Sequence, residues 1–321
     1  MTISQDSSAP LVAIVGATGN QGGSVLRFLA ESDRPYRLRA LTRDASKPGA
    51  QKLAEQGVEV VSVTLSADNL EGAKRAFDGA DIAFGVTNFW EHVDKDREVA
   101  EGKTLVDAAL AAGVRLYIYS SLPSFDKASN GKYKNVHHFE GKALVDDYAR
   151  SKVSKSFKYV AVQAGFYDTN MLPGPLVRKA ADGKWRMRTL IEPDTILPSI
   201  DISEYGLWVR AVIENPEVQD DGRPVCAVSE DISLTALLDT LRKHVKVPIE
   251  YEVVSAAEMR AEQPDGTPEH IKDDLEDNLT AINEISFFSG QDADWVLPYL
   301  ARKRTTFDEW CAKTDLSGYA A

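Results

Sequence analysis

Residues 11–23 read LVAIVGATGNQGG: five apolar residues, then glycines at 16, 19, 22 and 23. An apolar, β-branched run of this length suits a buried strand, and the glycine-rich stretch after it must turn sharply and enter a helix. The GxxGxxG spacing gives the glycines separate tasks. Gly16 permits the tight turn, Gly19 lets the backbone approach an anion with no Cβ between them, and Gly22 lets the first helix lie close to the sheet. Free N–H groups at the helix start, together with the helix dipole, favour a diphosphate there. A Gly-rich turn also occurs where strand and helix simply pack tightly. Its position at the first strand–helix junction favours a dinucleotide, held by Gly16, Thr18, Gly19, Asn20, Gln21 and Gly22.

The rest of the first half supports that placement. The runs LVAIVG, YRLRALTR, VEVVSVTL, DIAFGVTN, RLYIYSS and KYVAVQAGFY alternate with helix-periodic segments such as QGGSVLRFLAES, NLEGAKRAFDGA and FEGKALVDDYARS. Such alternation predicts an α/β fold, a Rossmann-like doubly wound parallel sheet covered on both faces. The dinucleotide-binding domain is expected over 11–165, after a disordered lead-in over 1–10. Prolines and glycines then loosen the pattern. Residues 166–321 are expected to form a smaller C-terminal α/β lobe, with some segments returning to the main sheet; IEPDTILPSIDIS reads as a short strand flanked by prolines.

Composition narrows the function classes. Of the 321 residues, 43% are apolar and 27% charged, a globular balance. The net charge of -12 argues against direct nucleic-acid or anionic-membrane binding, and leaves a protein partner or a small-molecule substrate. Cys226 and Cys311 show no CxxC spacing and no histidine cluster, so they read as reduced thiols with no metal site. MTISQDSSAP lacks the apolar core of a signal peptide, and a cytoplasmic or nuclear location is expected.

The end of the second strand bears on which dinucleotide binds. Binders of NAD usually place an acidic residue there for the ribose 2′-hydroxyl. This chain has Leu41-Thr42-Arg43-Asp44-Ala45-Ser46-Lys47. Arg43 can grip a 2′-phosphate with Lys47 as a second cation, which points to NADP(H). Asp44 offers a competing reading as a displaced ribose ligand. Asp68 has two readings, an adenine-side contact or a helix N-cap. Thr87 and Asn88 close the fourth strand at the carboxyl edge where ligands gather, and Phe89 and Trp90 either wall a nicotinamide pocket or cover the sheet end.

These features resemble the NmrA-like family, within the atypical short-chain dehydrogenase/reductase superfamily. The matching residues are the Gly16–Gly22 loop, Arg43, Tyr119-Ser120-Ser121, His138-Phe139-Glu140-Gly141-Lys142, and Ala164-Gly165-Phe166-Tyr167 with Asn170. Ile200-Asp201-Ile202 and Phe307-Asp308-Glu309-Trp310 also match. The resemblance implies a Rossmann-like domain, NADP(H) as cofactor and a smaller C-terminal lobe forming a cleft. Some members are transcriptional co-regulators or redox sensors that bind dinucleotide without turnover, and others are reductases.

Classical members of the superfamily carry Tyr-x-x-x-Lys on one helix, where the ammonium lowers the phenol's pKa so that it can protonate a carbonyl. Here the spacing is His138-x-x-x-Lys142. Lys142 then reads as a ribose or nicotinamide-side ligand, and His138 as pocket lining or a proton donor. Tyr167 is either an alternative donor or a core aromatic, and Ser120 either binds ligand or simply ends its strand. The missing tyrosine favours a dinucleotide-responsive redox sensor or regulator with little turnover. The alternative is an NADPH-dependent reductase of a small carbonyl, quinone or conjugated C=C, with Lys142, His138 and Tyr167 as its catalytic candidates.

Overall fold

In the computed structural model, which describes residues 3–320, the apolar run after Pro10 is strand β1 (Leu11–Val15), buried along its whole length. It is followed by α1 (Asn20–Ala30), β2 (Arg37–Thr42), α2 (Pro48–Glu55), β3 (Glu59–Ser62), α3 (Leu70–Phe77) and β4 (Ile82–Gly85). Next come α4 (Lys95–Ala111), β5 (Leu116–Ser121), the single turn α5 (Phe125–Ala128), α6 (His137–Arg150) and β6 (Lys158–Ala164). These six strands lie in the order 3-2-1-4-5-6, every neighbouring pair parallel. Parallel neighbours require crossovers, and the crossovers put helices on both faces. Strand β5 shows the two sides: Leu116 and Ile118 join the core under α1, while Tyr117 and Tyr119 join the core under α3, α4 and α6. The doubly wound sheet expected from the alternation is present. Its order reverses between β1 and β4, so the crevice at their carboxyl ends holds the glycine loop on one side and Thr87-Asn88 on the other.

The second half continues with β7 (Phe166–Tyr167), β8 (Val177–Lys179), β9 (Trp185–Thr189), β10 (Ile196–Ile200), α7 (Gly206–Glu214) and α8 (Pro216–Asp221). The chain ends through β11 (Val225–Ala227), β12 (Glu230–Ser233), α9 (Leu234–Val245), β13 (Ile249–Val253), α10 (Ala256–Ala261), α11 (Glu269–Ile285) and α12 (Phe307–Lys313). Two three-stranded sheets, β12-β10-β7 and β13-β9-β8, form its frame. Strand β11 instead joins the main sheet as its seventh strand, parallel to β6. Helix α7 lies against α1 so closely that a Cβ on Gly206 would sit 2.3 Å from Ser24 O. There the Ser24 hydroxyl donates to Ser203 O at 2.5 Å and accepts from the Gly206 N–H at 2.8 Å.

Two sequence readings come out differently. Within the lead-in read as disordered, Ile3 bridges Tyr36, the Ser4 N–H donates to Tyr36 O at 2.8 Å, and Ala9 is buried. The backbone just before β2 supplies those partners, and Ile3 packs on the α1-side core. Pro198 lies inside β10 rather than beside it. Strand β7 pairs only with Ser199 and Ile200, so that side of β10 needs no N–H from the proline.

Directly after β7, a 3-10 turn over Asp168–Met171 buries Asp168 completely. Its Oδ1 accepts from the Ser199 hydroxyl, and its Oδ2 has no partner. Burial pushes this carboxyl up to about 7 against the lowering effect of Ser199, with Asp201 and Glu230 reinforcing the rise. An unfolded Asp titrates near about 3.9, so between about pH 4 and pH 7 only the folded chain holds this proton. The contribution to stability is present at the acid end of that window and is lost as pH rises through it. Asp168→Asn should therefore gain thermal stability relative to the parent between about pH 5 and pH 8. A melting-temperature difference that stays constant across that range would contradict the assignment.

Candidate functional site

The crevice begins at the turn after β1. Gly16 takes a φ of +64°, the left-handed region that favours glycine. Gly22, in the first turn of α1, faces back onto that turn: a Cβ there would lie 2.4 Å from Gly16 O and 2.6 Å from Val15 O. Gly19 is the N-cap of α1 and no side chain caps the helix. A Cβ at Gly19 would touch only Gly16 O, at 3.3 Å. Thr18, Gly19 and Asn20 are exposed, with Thr18 facing Gly49 at the start of α2. Uncapped N–H groups and a bare backbone thus open toward the crevice. Gln21 donates through Nε2 to the Tyr167 hydroxyl at 2.7 Å and ties α1 to β7. Burial pushes the Tyr167 phenol up to about 12, so it stays protonated at neutral pH.

At the end of β2, Arg43 projects into solvent and pairs with Glu91, Nη1 to Oε1 at 2.5 Å. Lys47 is exposed and is the N-cap residue of α2. Asp44 closes a local turn by accepting from the Ser46 hydroxyl at 2.6 Å and the Ser46 N–H at 2.9 Å, and these bonds hold its carboxyl below the usual range. Asp68 is exposed and accepts from the Ser66 hydroxyl at 2.6 Å. The N-cap reading of Asp68 is corrected: Asn69 caps α3, its Oδ1 accepting from the Gly72 N–H at 3.1 Å.

Behind the end of β4 lies a buried polar network. Glu98 on α4 is fully buried, and Lys142 on α6 reaches it at 2.5 Å. The same ammonium donates to Thr87 O at 3.0 Å and Thr87 Oγ1 at 3.1 Å, which uses all three of its N–H groups. The Thr87 hydroxyl donates to Glu98 at 2.8 Å and lies 2.7 Å from the Tyr119 hydroxyl, which must then be the donor to it. Gly141 makes the space: a Cβ there would sit 2.4 Å from Glu98 Oε2. Asn88, the next residue after Thr87, is exposed. Ser120 is buried on the opposite face of β5, next to Tyr205, whose hydroxyl donates to Val162 O at 2.9 Å.

His138 sits one turn before Lys142 and is held from the second half of the chain. Asp274 on α11, fully buried, accepts from the His138 N–H at 2.9 Å through Oδ2 and contacts Nδ1 through Oδ1. A carboxylate on Nδ1 orients the imidazole and leaves Nε2 directed to the opposite side of the ring. The Trp90 ring, about half exposed, lies 5.1 Å from His138, and the buried Phe89 ring lies 6.0 Å from it. The three catalytic candidates each have a different partner: Lys142 bonds the Glu98 network, Tyr167 bonds Gln21 and His138 bonds Asp274. Sequence reasoning missed Glu98, Asp274 and Glu91. Asp274 lies 136 residues from His138 inside the acidic run HIKDDLEDNL, where nothing local distinguishes it from its neighbours.

Comparison with known proteins agrees with this architecture. A family model described as "NmrA-like family" matches residues 8–311. An NmrA-like family domain-containing protein of Dictyostelium discoideum is 27% identical over 308 residues, covering 94% of this chain and 97% of that one. The NmrA-like family domain-containing oxidoreductase FrzB of Cladobotryum sp. is 36% identical over 168 residues, about half of each chain. Among solved structures, Nmra, a negative transcriptional regulator, superposes with a TM-score of 0.78 at 23% identity over 96% of both chains. Its complex with NADP gives 0.74 at 22% identity over 95% of both. An NADPH-dependent quinone oxidoreductase of Escherichia coli gives 0.71 at 21% identity, covering 94% of this chain and 98% of that one. At these identities the structural likeness carries the fold.

Removing one partner of the buried ion pair strands the other. Glu98→Ala should cost about 3–5 kcal/mol in urea unfolding, and the double variant Glu98→Leu/Lys142→Met should recover most of it. If the single and double variants unfold at the same urea concentration, the pair does not hold α4 to α6.

Proposed function

Since the chain belongs to the NmrA-like family, we propose that it is a nicotinamide-dinucleotide-responsive regulator that prefers NADP(H), acts on a protein partner and turns over little or no substrate. The observation that carries this reading is the position of Lys142. Its ammonium is bonded to Thr87 O, Thr87 Oγ1 and Glu98 inside a buried network, and the position one turn earlier holds His138 where a catalytic phenol would stand. The lysine therefore serves the structure rather than a proton donor.

The residues fit a dinucleotide. Gly16 and Gly19 offer a backbone surface with no Cβ in the way, and the uncapped start of α1 supplies N–H groups for the diphosphate. Arg43 is exposed and paired with an exposed Glu91, and in this reading its guanidinium grips the 2′-phosphate with Lys47 as the second cation. A bound nicotinamide would supply hydride chemistry, and the protein's part is to bind and to report its state. Such a report requires the two forms of the ligand to differ in affinity for two states of the chain.

The Asp274–His138 contact favours a second reading. Asp274 on Nδ1 orients the imidazole, and Nε2 is then the ring atom that meets the substrate oxygen. In that case the chain reduces a small carbonyl, quinone or conjugated C=C.

Calorimetry with NADPH and NADH tests the first reading. Arg43→Ala should weaken NADPH binding at least about tenfold more than NADH binding, the loss of one bidentate phosphate contact. Equal losses would remove the 2′-phosphate assignment. Oxidation of NADPH across a panel of quinones and enones separates the two functions. Background rates support the regulator, whereas turnover that His138→Ala abolishes establishes the reductase.

A further inference from the structure

We infer that Glu91 is a specificity-determining residue that limits how strongly the crevice prefers a 2′-phosphorylated dinucleotide over an unphosphorylated one. This rests on the reading of the glycine loop as a dinucleotide cradle. The side chain placed to grip the phosphate, Arg43, is already paired with the Glu91 carboxylate at 2.5 Å. A 2′-phosphate must therefore compete for the same guanidinium, and it arrives beside a negative charge. The ribose 2′-hydroxyl of NAD(H) meets neither obstacle.

Glu91 is held where this competition takes place. It ends a three-residue 3-10 turn, Phe89–Glu91, that starts directly after Asn88. Phe89 is 1% exposed and anchors the turn in the interior. Trp90 packs edge-on against Phe89, ring centroids 5.2 Å apart, and against His138. On the far side the Val93 N–H donates to Phe89 O at 2.7 Å, and Val93 takes a φ of +51°, a backbone that a β-branched residue adopts only when its surroundings impose it. The Val93 carbonyl in turn meets His270 Nε2 of α11 at 3.0 Å. The turn therefore cannot carry the carboxylate far from Arg43 when ligand enters. The side chain itself can swing, because 44% of it is exposed and Arg97 lies within its electrostatic reach on α4.

Solvent sets the scale. Both partners are well exposed, so the pair is screened and tunes the preference rather than deciding it. Glu91→Gln keeps the shape of the side chain and removes its charge.

Calorimetric titration of the full chain and its Glu91→Gln variant with NADP+ and NAD+ at one low salt concentration tests the inference. The variant should bind NADP+ about three- to tenfold more tightly while its NAD+ affinity changes less than about twofold. The NADP+ gain should shrink at about 0.5 M salt, where the charges are screened. Equal gains for both dinucleotides, or weaker NADP+ binding in the variant, overturn the role of Glu91 and leave the cradle standing. No binding of either dinucleotide to the parent chain overturns the cradle and this inference together. Unchanged thermal unfolding of the variant shows that the affinities belong to a folded protein.

Discussion

Helix α1 can begin where it does only because nothing projects from Gly22. With Gly16 O and Val15 O each within 2.6 Å of where a Cβ would stand, even alanine would drive the helix away from the end of β1. Overpacking of this kind costs about 1–3 kcal/mol, and here it would also move everything mounted on the helix. Gln21 holds Tyr167 and with it the start of the second half; Ser24 holds Gly206 and the start of α7. The bend that bares the backbone toward the crevice and the contact that joins the two halves are therefore one piece of geometry. A chain that loosened the first would loosen the second.

The crevice is organised differently from what the Lys142 spacing suggests. In a helix that carries a phenol and a lysine one turn apart, the ammonium acts outward on the phenol. Here it points inward, and Gly141 clears the room for the carboxylate it meets. The buried pair joins α4 to α6 and holds Thr87, hence the end of β4, in a fixed relation to both. Its companion His138 is governed from elsewhere, by Asp274 of α11. Two neighbouring side chains on one helix thus answer to opposite halves of the molecule. One helix is thereby tied to both halves of the molecule.

The main sheet is legible in the chain because its signals are local and repeated. Six apolar strands alternate with helices, and the first junction carries glycines whose tasks are set by spacing alone. The small sheets are harder to read, since β7 and β8 have only two and three residues and Pro198 interrupts the look of a strand without interrupting the pairing. The candidate site divides the same way. Arg43 and the glycine loop announce themselves by position after a strand. Glu98, Glu91 and Asp274 do not, because each matters only for what folding sets opposite it. Asp68 shows the opposite error: the residues around it do signal a helix start, but the cap falls to Asn69, one residue later. Ion pairs and caps are decided in space.

Strand β11 has a consequence for how such a chain can be divided. It comes from beyond residue 220, yet its Val225–Ala227 backbone completes the ladder on Val162–Ala164 of the first half. Cutting the gene after residue 165 would leave a naked sheet margin, and beside it an oily patch on α1 where Trp208 and Leu207 had rested. Neither fragment would be an autonomous unit. Reporter insertions, split versions and fusions aimed at the apparent seam between the halves would meet an interleaved polypeptide there, and exposed tips such as the Gly183 turn are the safer places to add sequence.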